Sequence, residues 1–491
     1  MIGQLARHAS RLSIANLLVT IAGLVSFPIL TRLLSVDDYG LMNLVATMLA
    51  ILVAVSKFGV QTASVRFYGD ALSEADPSAV ERWASTVVVG MSTVGAVACV
   101  GWWVVALVLP DGTWGDPRIP ALLLLAVAMV FVQVSESALC SLLRAQLLTG
   151  ATALYFVVKR YAILAATLGA LIWIAPTVWV FYGAILIVES LAVVALFGWI
   201  RSRIALSLTA ADRALYGAMF VFGIPMIGTE LSSQVLTMGD RYVIQRLLGS
   251  GQLGLYTASY NLCEYVRVVC LAGFVQALMP MYVRSWSESG RAETERMLSR
   301  VTGLYALIAF PTVAGLAAVG DVLVPILASS KYSEGSAIIP WVIAGMALEA
   351  YSTIAMAGLL IEKRTRAALA ILVGAAVLNI ALNLWWIPRW GLIGSAAATL
   401  ASYAAVVAAG TLAGRAVLRP TPPYAQIARY AVGATVMYAS IAALTAGGPV
   451  ATLTARIVVG ALCYVAVVLA IDPESRRLAT ATLHRLRRQP T

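Results

Sequence analysis

Lysines, arginines and carboxylates sit inside long apolar stretches of this 491-residue chain. Ionised groups are expensive in such surroundings and mark a pathway or a binding site. Glu264 and Arg267 lie near the middle of one stretch, three residues apart, so they share a helix face and can pair or jointly line a cavity. Arg267 is the strongest candidate for a phosphate contact, because a guanidinium forms paired hydrogen bonds to phosphate oxygens. Lys159 and Arg160 are adjacent and point about 100° apart on a helix, so one of them can face a cleft squarely. The alternative is that both snorkel to the headgroups. Lys57, two residues before Gly59, lies near the end of its stretch, where snorkelling competes with anion contact. Asn379 and Asn383 are four apart on one face, placed for hydrogen bonds between helices or for contact with a sugar.

The acids suggest a second chemistry. Glu189, Glu230 and Glu349 are near mid-depth with no partner close in sequence. An isolated carboxylate in hydrocarbon takes up a proton. Each is therefore a coupling site for a proton or cation, or else a neutral acid bonded between helices. Glu264 joins them as a coupling or gating candidate, while Glu136, nearer one end of its stretch, ranks below. Asp240 and Arg241 flank the end of another stretch and are expected to pair at the interface or to gate. Pro28, Pro225 and Pro311 are expected to kink their helices. Trp102, Trp103, Trp173, Trp179, Trp385, Trp386 and Trp390 fall near stretch ends, as in interfacial belts.

The elements that carry these residues are apolar helices. Hydrophobic residues make up 61% of the chain, charged residues 12%, and mean hydropathy is +0.88. A soluble domain is closer to half apolar and a quarter charged. Fourteen stretches reach the ~20 residues that a membrane span requires. They lie near 12–33, 40–60, 84–109, 119–142, 152–174, 177–199, 214–236, 252–278, 301–327, 337–361, 367–387, 391–413, 426–446 and 450–471. The fold class is thus an all-α polytopic membrane protein with 14 transmembrane helices. Continuous apolar runs exclude a barrel, whose strands alternate. The first span ends in Pro28–Arg32 with no small-residue cleavage site, unlike a signal peptide. The loops 61–83 and 279–300 have room for an interfacial helix only.

Lys and Arg concentrate in the even-numbered loops and the two tails, which places both termini in the cytoplasm. The net charge of +11 is accounted for by this asymmetry and by anionic headgroups, and no basic soluble face exists for nucleic acid. All five cysteines (Cys99, Cys140, Cys263, Cys270, Cys463) lie in spans, so no disulfide framework is expected. His8 and His484 are terminal. No buried histidine is therefore present as catalyst or ligand, and no metal or cofactor is expected.

The segment Thr31–Leu41 recurs as Gln245–Leu255 at an offset of 214, matching Arg32, Leu33, Leu34, Gly40 and Leu41 to Arg246, Leu247, Leu248, Gly254 and Leu255. The same offset pairs Gly59 with Gly273. Each copy joins an odd span to the next even one on the same side. The repeat is therefore parallel: one six-helix half at 1–203, a second at 204–419, and two extra helices with a basic tail at 420–491. Proteins built this way hold substrate in a central cleft between the halves.

The stretch Pro28-Ile-Leu-Thr-Arg-Leu-Leu-Ser-Val-Asp-Asp-Tyr-Gly40 resembles the opening signature of bacterial polysaccharide-biosynthesis flippases of the multidrug/oligosaccharidyl-lipid/polysaccharide exporter superfamily. Leu378-Asn-Ile-Ala-Leu-Asn-Leu384, Ile387-Pro388 and Gly391–Thr399 are similar to that family's Asn-rich eleventh and Gly/Ala-rich twelfth helices. The resemblance spans the whole chain. It implies a flippase of the bacterial inner membrane that moves a polyprenyl-(pyro)phosphate-linked oligosaccharide to the outer leaflet without covalent chemistry. The partners it implies are that glycan, the bilayer, a polysaccharide polymerase and glycosyltransferases. Peptidoglycan-precursor flippases of a sister branch carry an arginine cluster in their first two helices. Here the first helix has Arg11 and Arg32 at its two ends and nothing basic between them, which sets the chain apart from that branch.

Three other readings compete. A cation-coupled multidrug exporter of the same superfamily would want an acidic cavity. A membrane glycosyltransferase or polymerase would need a large loop with catalytic carboxylates, and the only acidic doublet is Asp37–Asp38 in a short loop. A non-transporting assembly partner would not need buried charges.

Overall fold

The computed structural model describes residues 2–74, 76, 78–108 and 115–477, with the backbone alone at 2–14, 225–226, 272 and 275–277. The side chains of His8, Arg11, Pro225 and His484 and the last tail arginines lie outside the described set. Among the described residues the chain is helical and without strands. Its helices are α1 (Ile2–Leu33), α2 (Val36–Ser56), α3 (Val60–Ser73), α4 (Ala79–Val108), α5 (Ile119–Ala145), α6 (Thr149–Trp173), α7 (Val178–Arg201), α8 (Arg213–Met238), α9 (Asp240–Arg267), α10 (Gly273–Leu327), α11 (Ile339–Ala355), α12 (Ala357–Ile361), α13 (Thr365–Gly414), α14 (Tyr424–Ala442) and α15 (Pro449–Ile471).

Ten of the described helices are long and apolar enough to cross a membrane, or up to eleven if the bent pair Arg213–Ile224 and Ile227–Leu271 forms one span. This is a multi-pass membrane fold, although its helices do not count off one for one against the fourteen expected spans. One reason is that helical hydrogen bonding runs on through glycines with positive φ. In α13 the break is Gly391 at φ 57°. Asn379 Nδ2 nevertheless donates to Thr399 Oγ1 at 3.3 Å. Twenty residues of straight helix would separate those groups by ~30 Å, so α13 is a hairpin whose two arms, 365–390 and 392–414, each exceed the length of a span. Gly290, at φ 73°, breaks α10 in the same way, and there Thr294 Oγ1 donates to Ser285 Oγ at 3.2 Å. The stretch 61–83, expected to be loop, carries α3. That helix starts from left-handed Phe58 and Gly59 (φ 47° and 67°).

By contacts the chain divides into two compact units, Met1–Gly254 and Leu255–Thr491. In the first unit α8 packs against α2, α3 and α4. The crossing is backbone on backbone: a Cβ on Gly59 would strike the carbonyl of Gly223, and one on Gly223 would strike that of Phe58. The two copies of the repeat also meet. A Cβ on Gly40 would strike the Ser250 carbonyl, and one on its repeat mate Gly254 would strike the Val36 carbonyl. Polar bonds reinforce this seam. Arg118 Nη1 donates to Asp38 at 2.8 Å and its Nη2 to Asp116 at 2.9 Å, while Ser250 Oγ donates to Asp116 at 3.0 Å.

In the second unit one core joins α10 to α11 through Leu298, Tyr305, Ala347 and Ile354. Another joins α10 to α14 and α15 through Tyr430, Met437 and Tyr464. Arg456 is buried inside α15 and donates to the carbonyls of Leu444 and Ala318 and to Asp321. At the far end of α15, Asp472 accepts from Ser475 Oγ (2.6 Å), Ser475 N (3.0 Å), Arg429 Nη1 (3.1 Å) and Tyr430 Oη (3.2 Å). Burial raises the Asp472 carboxyl, but these donors outweigh it and hold the group below the usual carboxylate range.

Two predictions follow from this packing. Gly40→Ala and Gly254→Ala should each lower the thermal unfolding midpoint in detergent. Gly69→Ala, with open space around it inside α3, should leave or raise the midpoint, worth about 0.5–1 kcal/mol. Equal effects at all three sites would refute the close approach. Asp472→Asn should cost about 1–3 kcal/mol at neutral pH. The folded carboxyl binds its proton less tightly than the unfolded one, so this stabilisation is complete above about pH 4 and fades as pH falls through the folded value. The gap between wild type and Asp472→Asn should therefore close on acidification, as read by melting curves.

Candidate functional site

In the first unit the charged residues converge on α5, α6 and α7. Gln133 and Glu136 are three apart on α5, Tyr155 and Lys159 four apart on α6, so each pair shares a face. Lys159 Nζ donates to both Glu136 oxygens at 2.6 and 2.7 Å and lies 3.6 Å from Glu189 Oε1 on α7. Gln133 Nε2 donates to Glu189 Oε2 at 3.0 Å, and the Tyr155 ring lies 5.9 Å from the ammonium. The Lys159, Glu136 and Glu189 side chains are 13%, 9% and 7% exposed, so the cluster is almost dry. Lys159 does not snorkel. It ties three helices together with one carboxylate more than it can neutralise. Arg160 has a buried Nε with no hydrogen-bond partner.

The pairing of Glu136 with Lys159 has a signal in the sequence. Glu136 and Lys159 stand at nearly equal distance from the turn at 146–148, so an antiparallel hairpin brings them to the same depth.

A second pairing joins the end of α2 to α8. Lys57 Nζ donates to Glu230 Oε1 at 3.1 Å, and Gln61 Nε2 on α3 donates to Glu230 Oε2 at 3.2 Å. Glu230 thus has partners distant in sequence, and Lys57 reaches an acid instead of the headgroups.

In the second unit Arg267 donates to Glu264 from two nitrogens, Nε at 2.7 Å and Nη2 at 2.5 Å. Glu349, on α11, lies within electrostatic reach of both. The helix passes into a π-helical turn, Val268–Ala272, immediately after Arg267. Such turns recur at functional sites because they re-aim the neighbouring side chains. Arg267 is 22% and Glu264 36% exposed, so this cluster is more open than the first. Here again two carboxylates face one cation.

Two further sets of polar residues are buried. Asp240 and Arg241 open α9 one residue past the end of α8 at Met238, and they are 1% and 5% exposed. Arg241 Nη1 donates to Thr47 Oγ1 at 2.9 Å inside the first unit. Asn379 and Asn383 are fully buried: Asn383 Nδ2 donates to Asn379 O at 2.8 Å within one arm of α13, and Asn379 Nδ2 donates to Thr399 Oγ1 across the hairpin, which agrees with the expected bonding between helices. Among the described residues no group of three His, Cys, Asp or Glu side chains could hold a metal.

Residues 29–337, well over half of the chain, match the polysaccharide biosynthesis protein family. The chain belongs to that family. A comparison of sequence with curated proteins finds no match. Among solved structures, the lipid II flippase MurJ in an inward closed conformation aligns over 94% of this chain and 98% of its own, with 15% identity and a TM-score of 0.76. A multidrug resistance MATE family transporter of the MOP superfamily aligns in its outward-facing form over 83% of this chain and 95% of its own, at 13% identity and TM-score 0.60. Its inward-facing form gives 81%, 97%, 14% and 0.59. These likenesses show the fold. That fold is shared by a lipid-linked precursor flippase and by multidrug transporters.

Removing the buried ammonium should expose the cost of the first cluster. Lys159→Met leaves two carboxylates in an apolar setting and should destabilise the protein by about 3–5 kcal/mol. Adding Glu136→Gln to Lys159→Met should recover part of that loss. Additive effects of the two substitutions on the melting midpoint would show that the pair is not coupled.

Proposed function

We propose that this protein flips a polyprenyl-(pyro)phosphate-linked oligosaccharide from the cytoplasmic to the outer leaflet by alternating access, for cell-surface polysaccharide biosynthesis. The observation that carries the reading is Arg267. It is a partly exposed guanidinium at a π-helical turn, in a chain whose family is polysaccharide biosynthesis and whose fold is that of a flippase. On this reading Arg267 contacts the phosphate, with Arg160 as a second cation. The reading also takes the bacterial inner membrane as the location, both termini as cytoplasmic, and the repeat of 1–203 and 204–419 with 420–491 appended as the working unit. Glycosyltransferases that build the glycan and a polymerase that consumes it are the partners it implies.

The two clusters with an excess carboxylate, Lys159–Glu136–Glu189 and Arg267–Glu264–Glu349, support coupling to a proton or cation. Each needs one more positive charge for neutrality in hydrocarbon. Phosphate arriving at Arg267 would compete with Glu264 for the guanidinium and leave that acid free to take up a proton, linking substrate to ion. The same excess of acid supports the second reading, a cation-coupled multidrug exporter.

The test is purified protein in liposomes with a fluorescent polyprenyl-pyrophosphate glycan, following its protection from an external quencher. Wild type should move the glycan, and Arg267→Ala should slow it roughly ten- to hundredfold, the loss of a charged hydrogen bond. Unchanged movement in Arg267→Ala would remove Arg267 from the path. Export of organic cations with no glycan movement would favour the exporter.

A further inference from the structure

Two cavities in the second unit adjoin, and only the first has arginines in its wall. The first, about 520 Å³, is bounded by the middle of α10, the ends of α11 and α13, by α12 and by the segment 415–424, with Arg415, Arg419, Thr411 and Thr421 among its lining residues. The second, about 390 Å³, runs between α10, α11 and α14 and is walled by apolar and aromatic groups such as Ala306, Phe310, Ala344, Leu348 and Ile427. Thr302 and Tyr351 line both. A chamber with two arginines at its mouth thus stands next to an apolar pocket, with Thr302 and Tyr351 between them.

The arginines are available. Among the described residues no hydrogen bond or ion pair uses the Arg415 guanidinium. Arg419 Nε donates to the Arg415 carbonyl at 3.0 Å, while the Arg419 backbone N–H, not its guanidinium, donates to Glu295 at 2.8 Å. Both arginines are exposed, beside Tyr424, which is 74% exposed as interfacial aromatics are. With the orientation proposed above, this end meets the cytoplasmic leaflet, the one that carries anionic headgroups.

We infer that these adjoining cavities together bind an anionic glycerophospholipid, its phosphate on Arg415 and Arg419 and an acyl chain in the apolar pocket past Tyr351, with the Thr302 and Tyr351 side chains yielding between them. Charge complementarity selects the headgroup, because guanidinium pairs with phosphate oxygens through parallel hydrogen bonds. The apolar pocket is of drug-ligand scale. That suits one acyl chain and is too small for a long polyprenyl tail, so the site takes a bilayer lipid and not the carrier of the glycan. The lipid would also brace the functional cluster. Tyr351 stacks on Tyr305 at 5.8 Å between ring centroids, and Tyr305 lies within electrostatic reach of Glu349 and Arg267.

The site is tested on the full-length protein in a neutral detergent by its thermal midpoint on titration with phosphatidylglycerol or phosphatidylcholine. Phosphatidylglycerol should raise the midpoint by several degrees at saturation and phosphatidylcholine should not. Arg415→Gln/Arg419→Gln, on exposed positions that leave the core intact, should abolish most of the rise. Ala344→Phe, which fills the apolar pocket, should do the same with the arginines in place. Equal response to the two lipids, or a full response in the double arginine variant, overturns the inference. A response to undecaprenyl phosphate but not to phosphatidylglycerol would assign the site to the carrier and overturn it too. A response to inorganic phosphate as large as that to the lipid would show that the apolar pocket is not used, and would equally overturn it.

Discussion

Charge in a hydrocarbon slab has to be neutralised by a neighbour, and in this protein that requirement sets which helices meet. Lys159 draws α5 and α7 to α6 through Glu136 and Glu189. Lys57 draws α8 to the junction of α2 and α3 through Glu230, and Arg456 fixes α15 to α10 through Asp321 and the Ala318 carbonyl, and to the segment after α14 through the Leu444 carbonyl. Apolar packing alone gives lipid-facing helices little reason to prefer one partner over another, because lipid tails are as apolar as leucine. Paired charges supply the preference. The least exposed clusters do structural work in this sense whatever else they do.

Small residues provide the complementary constraint. Where ion pairs choose the partners, glycines set how closely the backbones approach. Gly59 with Gly223, and Gly40 with Gly254 across the two copies of the repeated segment, leave no room for a Cβ. The second of these is informative because the two glycines are repeat mates. A motif recurring in sequence becomes a self-complementary contact in space, reinforced by the Asp38–Arg118–Asp116–Ser250 chain of polar bonds.

The two carboxylate-rich clusters differ in ways that bear on function. The first is nearly dry and joins three helices. The second is more open, lies beside a π-helical turn, and has its arginine held by an acid from the preceding helical turn. An arginine held by an exchangeable partner suits transient phosphate contact, because the partner keeps the charge solvated in its absence. That contrast is why the functional reading rests on Arg267 while Lys159 is read as part of the frame.

Several conclusions were legible in the residues alone. Apolar run length requires membrane-spanning helices, and the repeat, the signature around Pro28–Gly40 and the buried acids together point to a flippase-like fold of the polysaccharide biosynthesis family. Local spacing was enough for Glu264 with Arg267, three apart on one helix. It was not enough for Lys57 with Glu230 or Lys159 with Glu189, because those pairs join helices whose packing is not encoded in any local period. Tertiary structure also decided exposure. Asp240 and Arg241 stand at the junction of α8 and α9, where charge often marks a helix end, yet the bundle covers them. Asn379 and Asn383 shared a face as expected, but the turn at Gly391 folds the second arm of α13 over that face and buries both. Sequence determines which groups must find partners in hydrocarbon; only the folded chain decides which partners they find, because hydrogen bonds and ion pairs form between neighbours in space.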